Sequence, residues 1–134
     1  GIKLVSKTLE IIKKLKPKYY FIENPRGKLR KLNIMKGLPR ITVWYCKYGE
    51  KTAKPTDIWS NNIYSLFNQN GWKPRPECFN GNEKCHHDKQ PRGYKAKKEA
   101  GVLSLGIQGR KKNNYERSKI PYELCLEILM SVKK

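Results

Sequence analysis

The sequence predicts an α/β fold, and three observations carry that prediction. Residues 2–16 place apolar side chains at helical spacing and run through a short break into an apolar strand. Two later runs, rich in β-branched and aromatic residues, lie close enough to pair as an antiparallel hairpin. The C-terminal residues carry a second helical stripe with charge placed to suit the helix dipole.

In "IKLVSKTLEIIKKLK" the apolar positions Ile2, Val5, Leu9 and Ile12, with Leu4, Ile11 and Leu15 beside them, form one stripe opposed by lysines. Lys16-Pro17-Lys18 breaks the helix, and Tyr19–Ile22 reads as a buried strand. Helix, short turn and strand together look like the second half of a βαβ crossover. Arg40–Gly49, "RITVWYCKYG", and Thr56–Ser60, "TDIWS", are the hairpin strands, paired through segments 41–46 and 56–60 around a long tip. From Asn61 to about Lys98, Gly, Pro, Asn and Lys dominate and no period persists, so 62–100 is expected to be loop-rich. Gly101–Gly106 is strand or loop. The tail "SKIPYELCLEILMSVKK" is a helix: Pro121 suits its first turn, and Glu123 suits the positive dipole end. Its stripe is Ile120, Leu124, Cys125, Ile128 and Leu129, and Lys133 and Lys134 fall at the negative end. The expected organisation is 1–61 as core, 62–100 as basic insertion, and 101–134 as closing segment and helix.

The chain has 134 residues, with 30 Lys+Arg against 11 Asp+Glu, a net charge of +19. That fits one domain with a modest core. So strong a positive charge favours a polyanion, because each neutralised phosphate releases counterions. A lysine-rich solvated surface is the plainer alternative. No apolar run approaches the ~20 residues that cross a bilayer, which argues against a membrane partner. No secretory apolar region opens the chain, so its four cysteines are expected to be reduced thiols in a cytoplasmic protein.

The stretch "YYFIENPRGKL" sets Glu23 and Asn24 at the end of an apolar strand, before Pro25. Ligands of open α/β sheets bind at the carboxyl ends of strands, which makes Glu23 a candidate site residue. It could equally cap the turn that follows and pair with Arg26 or Lys28.

Three segments in order, "TLEIIKKLKPKYYFIEN", "ITVWYCKYG…KPTDIWSNN" and "GIQGRKKNNYERSKIPYELCLEIL", resemble the second half of the catalytic domain of DNA cytosine-5 methyltransferases, in a small phage- and prokaryote-type subgroup. The resemblance implies the C-terminal half of a Rossmann-like methyltransferase sheet, with a loop-rich insertion and a closing C-terminal helix. It implies that Glu23 hydrogen-bonds the N3/N4 edge of a flipped cytosine, that Asn24 holds the strand-to-loop turn, and that Arg26 reaches a phosphate or positions the active-site loop. Ser118, Ile120 and Pro121 would approach S-adenosylmethionine in a complete enzyme. Lys54 falls nearest the family's target-side arginine, and target readout would sit in 62–105.

The sequence also departs from the family. Pro25 replaces a valine, no Gln-x-Arg-x-Arg is present, and the closing motif lacks its asparagine. No cysteine follows a proline: Cys46, Cys78, Cys85 and Cys125 follow Tyr45, Glu77, Lys84 and Leu124. No Gly-rich strand-to-helix turn is present either. The expectation is therefore a fragment, half of a split enzyme, or a relative that kept only binding. A missing N-terminal catalytic half, or self-association, would cover the faces it leaves open, and the chain alone would be inactive.

Two further constellations come from the residues themselves. Cys78 and Cys85 are separated by six residues, and His86 and His87 follow at once. Zinc takes Cys and His tetrahedrally and would supply folding energy to a segment with no evident core. Adjacent histidines rarely both ligate, so a fourth ligand would come from elsewhere, with Cys46 one source. Free thiols and solvated imidazoles are the alternative, and a nuclease built on His86, His87 and Asp88 would be too local a cluster.

The other constellation is basic loops. "NPRGKLRKLNIMKGLPR", "KQPRGYKAKK" and "GRKKNNYER" put Lys28, Arg30, Lys31, Arg92, Lys95, Arg110 and Lys111 among the candidate DNA contacts, with Lys54 from the hairpin. Trp59 and Trp72 are expected to pack, although the setting of Trp72 also allows exposure. A zinc-stabilised nucleic-acid-binding protein without catalysis is the alternative function.

Overall fold

The computed structural model describes residues 2–88 and 114–133. Gly101–Gly106 and the candidate contacts Arg92, Lys95, Arg110 and Lys111 lie outside the described residues. Within them the class is mixed α/β. Helix α1 (Ile2–Leu15) leads to strand β1 (Phe21–Pro25), and β2 (Arg40–Trp44) and β3 (Pro55–Ser60) follow; α2 (Asn114–Ser118) and α3 (Tyr122–Val132) come last. The strands form one sheet in the order β1-β3-β2, and both pairings are antiparallel.

The expected hairpin is present, with Ile41 opposite Ile58 and Val43 opposite Thr56. β2 stops at Trp44, before the expected Cys46, because Tyr45–Tyr48 winds into a 3₁₀ turn. Gly49 ends that turn at φ +94, and a Cβ there would meet the Glu123 carboxylate at 2.6 Å. The first strand needs correction. It runs from Phe21 to Pro25 rather than from Tyr19 to Ile22, so Glu23 and Asn24 lie inside the ladder, opposite Ile58 and Asp57. Pro25 does not exclude pairing. It ends an edge strand, where a missing N–H is tolerated, and the next amide, Arg26, donates to Pro55 O at 3.0 Å. Asn61 fixes the strand's entry, accepting from Tyr20 N and donating to Lys18 O.

A βαβ crossover would set β1 beside a parallel neighbour, and no parallel strand pair occurs among the described strands. α1 forms where its periodicity predicts, yet it buries no residue fully, and Ile2, Leu4, Ile11 and Leu15 stand exposed. The amphipathic pattern fixed a helix without fixing what it packs on.

Side chains alternate along a strand, so the sheet has two chemically different faces. One face carries Ile58 and Val43 and packs against Tyr45, Tyr48, Trp72 and Leu124, with Phe21, Ile41, Ile63 and Ile128 at its margin. Trp72 is buried, not exposed. The α3 stripe is narrower than its sequence implies: Leu124 is buried, while Cys125 and Leu129 face outward.

A polar clamp docks α3. Glu127 Oε1 accepts from the Tyr48 hydroxyl at 2.8 Å and from Trp72 Nε1 at 2.9 Å, and Oε2 accepts from Arg75 Nε at 3.2 Å. Arg75 also donates to Lys47 O and Glu123, with its guanidinium over the Tyr48 ring.

On the opposite face Asp57 is buried, and Arg30 grips it with two bonds, Nε to Oδ2 at 2.9 Å and Nη2 to Oδ1 at 2.7 Å. Thr42 closes the triangle by donating to Asp57 Oδ1 and accepting from Arg30 Nη2. This pair pins the 3₁₀ turns Leu29–Lys31 and Asn33–Met35 to the sheet. Removing one member of a buried pair strands the other's charge or empties its hydrogen bonds. Asp57→Ala is expected to cost ~3 kcal/mol in urea unfolding, reduced from the top of the usual range because Arg30 is partly solvated. A cost near zero would show that the pair does not hold these turns.

Candidate metal centre

The second cluster of buried residues lies at the hairpin tip. Trp44, Cys46, Ala53 and Cys78 pack together with Cys85 against them. Cys46 enters from the 3₁₀ turn after β2, and its amide reaches Ala53 O across the hairpin at 3.5 Å. Cys78, Cys85 and His87 enter from a loop that the tip itself holds: Asp88 N donates to Lys51 O at 2.7 Å, and His86 Nε2 lies 2.9 Å from Glu50 O. Within the loop, Cys85 N donates to Asn82 O, and Lys84 N to Asn82 Oδ1.

The result is four donor atoms, from Cys46, Cys78, Cys85 and His87, all within 4.8 Å of one another. Cys78 Sγ and His87 Nδ1 are 3.7 Å apart. A tetrahedral zinc with ordinary Zn–S and Zn–N bonds spaces such a pair at about 3.6 Å. Asn82 Nδ2 donates to Cys78 Sγ at 3.4 Å, the kind of outer hydrogen bond that orients a thiolate ligand.

Without a cation, crowding divides the thiols. Burial, with hydrogen bonds to Cys78 and Cys85, pushes Cys46 up to about 12. Burial also raises Cys85, but hydrogen bonds from the His87 backbone and side chain, and from Cys78 and Cys46, outweigh it and bring it down to about 6. A divalent ion removes the mutual repulsion and ionises its thiol ligands together. Three thiolates and one imidazole, largely buried, fit zinc.

The cluster that could hold a metal ion therefore brings together Cys78, Cys85 and His87 of the residues singled out in the sequence, adds Cys46 as a fourth donor, and leaves out His86. His86 is exposed and turned to the Glu50 carbonyl, so it does not converge with His87 and Asp88. Nothing in the local sequence distinguishes the two histidines. The tip, which claims one of them for its carbonyl, makes the choice.

Glu23 is half-buried in the middle of β1. The Tyr45 hydroxyl donates to its Oε1 at 3.3 Å. Burial first, and then the charge of Glu23, push the Tyr45 hydroxyl well above its ordinary range, so it stays a donor at neutral pH. Lys54 holds its ammonium 5.2 Å from the Tyr45 ring centroid, on a backbone at φ +33 that a side chain rarely adopts. Asn24 donates to Pro25 O at 3.0 Å and braces the strand end. Arg26 stacks 5.1 Å over the Trp44 ring.

Other candidates are placed differently. Arg30 is committed to Asp57, while Lys28 and Lys31 are exposed on the adjoining turn. Ser118 donates back to Tyr115 O, Ile120 is exposed, and Pro121 is buried at the start of α3. Sequence reasoning missed Tyr45 and Asp57. The run "TVWYC" carried a signal for Tyr45, since a tyrosine beside a ligand cysteine is oriented by whatever fixes that cysteine.

No family model, no curated protein and no solved structure matches this chain. Among the described residues, no helix is long and apolar enough to cross a membrane.

The purified protein is expected to carry roughly one zinc per chain. Cobalt substitution should give thiolate charge-transfer absorption and tetrahedral visible bands. Cys46→Ser and Cys78→Ser should abolish both, whereas His86→Ala should leave them intact. Loss on His86→Ala, or retention on Cys46→Ser, would redraw the ligand set.

Proposed function

We propose that this chain is the base-holding, DNA-facing C-terminal part of a DNA cytosine-5 methyltransferase-like protein, built on a zinc-clipped scaffold. The observation that carries this reading is the Glu23 carboxylate, oriented by the Tyr45 hydroxyl on a strand that runs directly into exposed cations. Tyr45 engages Oε1 and leaves Oε2 without a hydrogen bond among the described residues. Oriented in this way, the carboxylate can accept from the exocyclic amine of a flipped cytosine and support protonation at the ring nitrogen beside it.

The sheet is read as the antiparallel end of a larger Rossmann-like sheet, and the half-covered stripe of α1 as the surface on which further sheet or a second copy would pack. Lys28 and Lys31 supply phosphate contacts that position the duplex without reading it. S-adenosylmethionine supplies the methyl group in such enzymes. The nucleophile and most of the cofactor site would lie outside the described residues.

Zinc contributes no step. It would hold the turn that presents Tyr45, and with it Glu23, and it ties the loop after Trp72 to the hairpin.

A second reading, a zinc-stabilised nucleic-acid-binding protein without catalysis, is favoured by one observation. The metal centre and the exposed cations form a complete scaffold that makes no use of Glu23.

Both readings expect DNA binding that weakens with salt. Lys28→Ala and Lys31→Ala should each reduce the slope of log affinity against log salt by about 1, equally for all sequences. Only the first reading requires Glu23 for chemistry. In the full protein carrying this segment, Glu23→Gln is expected to lower methyl transfer to cytosine by roughly 100-fold or more, with DNA affinity and melting temperature retained. Unchanged transfer would remove Glu23 from the mechanism and leave the binding reading.

A further inference from the structure

The loop from Asn62 to Trp72 is built to hold two apolar side chains in water. Ser65 and Asn68 exchange backbone hydrogen bonds, N to O at 3.1 Å in both directions, and Phe67 N donates to Ser65 Oγ at 3.1 Å. That closes a tight turn with Leu66 and Phe67 at its tip, 81% and 100% exposed. Polar residues would serve such a turn equally well, so local geometry does not explain the choice.

The tip is rigid at its root. Tyr64 N donates to Trp72 O at 2.8 Å, Trp72 N to Asn62 O at 2.7 Å, and Gly71 N to Asn68 O at 3.1 Å. Asn68 Nδ2 bridges to Asn62 Oδ1 and Ile63 O. Gly71 permits the close crossing, since a Cβ there would lie 2.7 Å from Ile63 C and Tyr64 N. Trp72 itself is buried, edge-on to Phe21 with centroids 6.0 Å apart. Phe21 and Glu23 share one face of β1, so the loop is rooted on the face that carries Glu23.

The geometry points to Leu66 and Phe67 as an apolar wedge that enters the base stack of duplex DNA. This rests on the reading that DNA is the partner. Two features select the occupant. The apolar surface is a point, not a plane: Ser65, Asn68, Gln69 and Asn70 surround it, and Lys73 holds its ammonium over the neighbouring Tyr64 ring. A protein partner of useful affinity needs a wider patch, whereas the slot between two stacked bases takes one or two apolar side chains and lets the duplex kink. The net charge of +19 then favours a polyanion over a neutral surface.

The test uses the whole zinc-supplemented chain and a duplex carrying a fluorescent purine analogue whose emission rises on unstacking. The unaltered chain is expected to bind and raise the emission. A Leu66→Ser/Phe67→Ser double variant should keep its melting temperature and salt slope, bind roughly tenfold more weakly, and give no rise. A Lys28→Ala/Lys31→Ala variant should lose salt slope yet keep the rise once saturated.

Salt-dependent binding without a rise, or a rise that survives in the double serine variant, overturns the wedge alone. No binding by the unaltered chain overturns the wedge together with the DNA reading. If the double serine variant instead turns a dimer into a monomer and leaves the rise unchanged, the tip is a contact between copies and the wedge is wrong.

Discussion

The 3₁₀ turn that ends β2 is the constraint on which the rest of the structure depends. Trp44, the last residue of β2, and the first two residues of the turn point toward three partners. Trp44 stacks under Arg26 and shields the metal-ligand cluster, Tyr45 donates to Glu23, and Cys46 joins the other three donor atoms. The same turn supplies Tyr48 to the clamp that docks α3 through Glu127. A β-strand could not do this, because alternation sends neighbouring side chains to opposite faces only. A tighter winding spreads them around an axis, and Gly49 ends it in a conformation that other residues resist.

The two cores use different physics. On the helix-bearing face, aromatic and aliphatic groups exclude water around Trp72 and Leu124, and the polar atoms of Tyr48 and Trp72 are satisfied at one carboxylate. At the hairpin tip there is little apolar area to bury, and the loop 78–88 has neither helix nor strand to satisfy its backbone. Metal ligation suits such a segment, because bond energy replaces the missing hydrophobic burial. The buried Asp57 pair performs a third task, holding basic turns against a sheet so that Lys28 and Lys31 are displayed from a fixed base.

Several elements were legible from local pattern. The period of α1, the β-branched hairpin runs and the charge-matched α3 each encode one element in contiguous residues, and each element is present, although β2 stops at Trp44, short of the expected Cys46. Local pattern places the first strand two residues too early, because Tyr19 and Tyr20 suit a strand as well as Phe21 and Ile22 do. Only pairing with Thr56–Ser60 decides the register. That shift moved Glu23 from a strand tip to a strand centre. Arg30 was indistinguishable in sequence from Lys28 and Lys31, yet its partner lies 27 residues away.

By itself, the sequence determined the secondary-structure types, the basic character of the surface, and the supply of soft ligands near residues 78–87. Periodicity, charge and ligand chemistry are properties of residue type and near neighbours. Only the tertiary structure decided that Cys46 completes the centre, that His87 and not His86 joins it, that Tyr45 aligns Glu23, and that Trp72 roots an exposed apolar tip. Each of those choices brings together residues distant in the chain. A one-residue change of register or winding sends a side chain to the other face, and no local pattern records which face a distant partner will occupy.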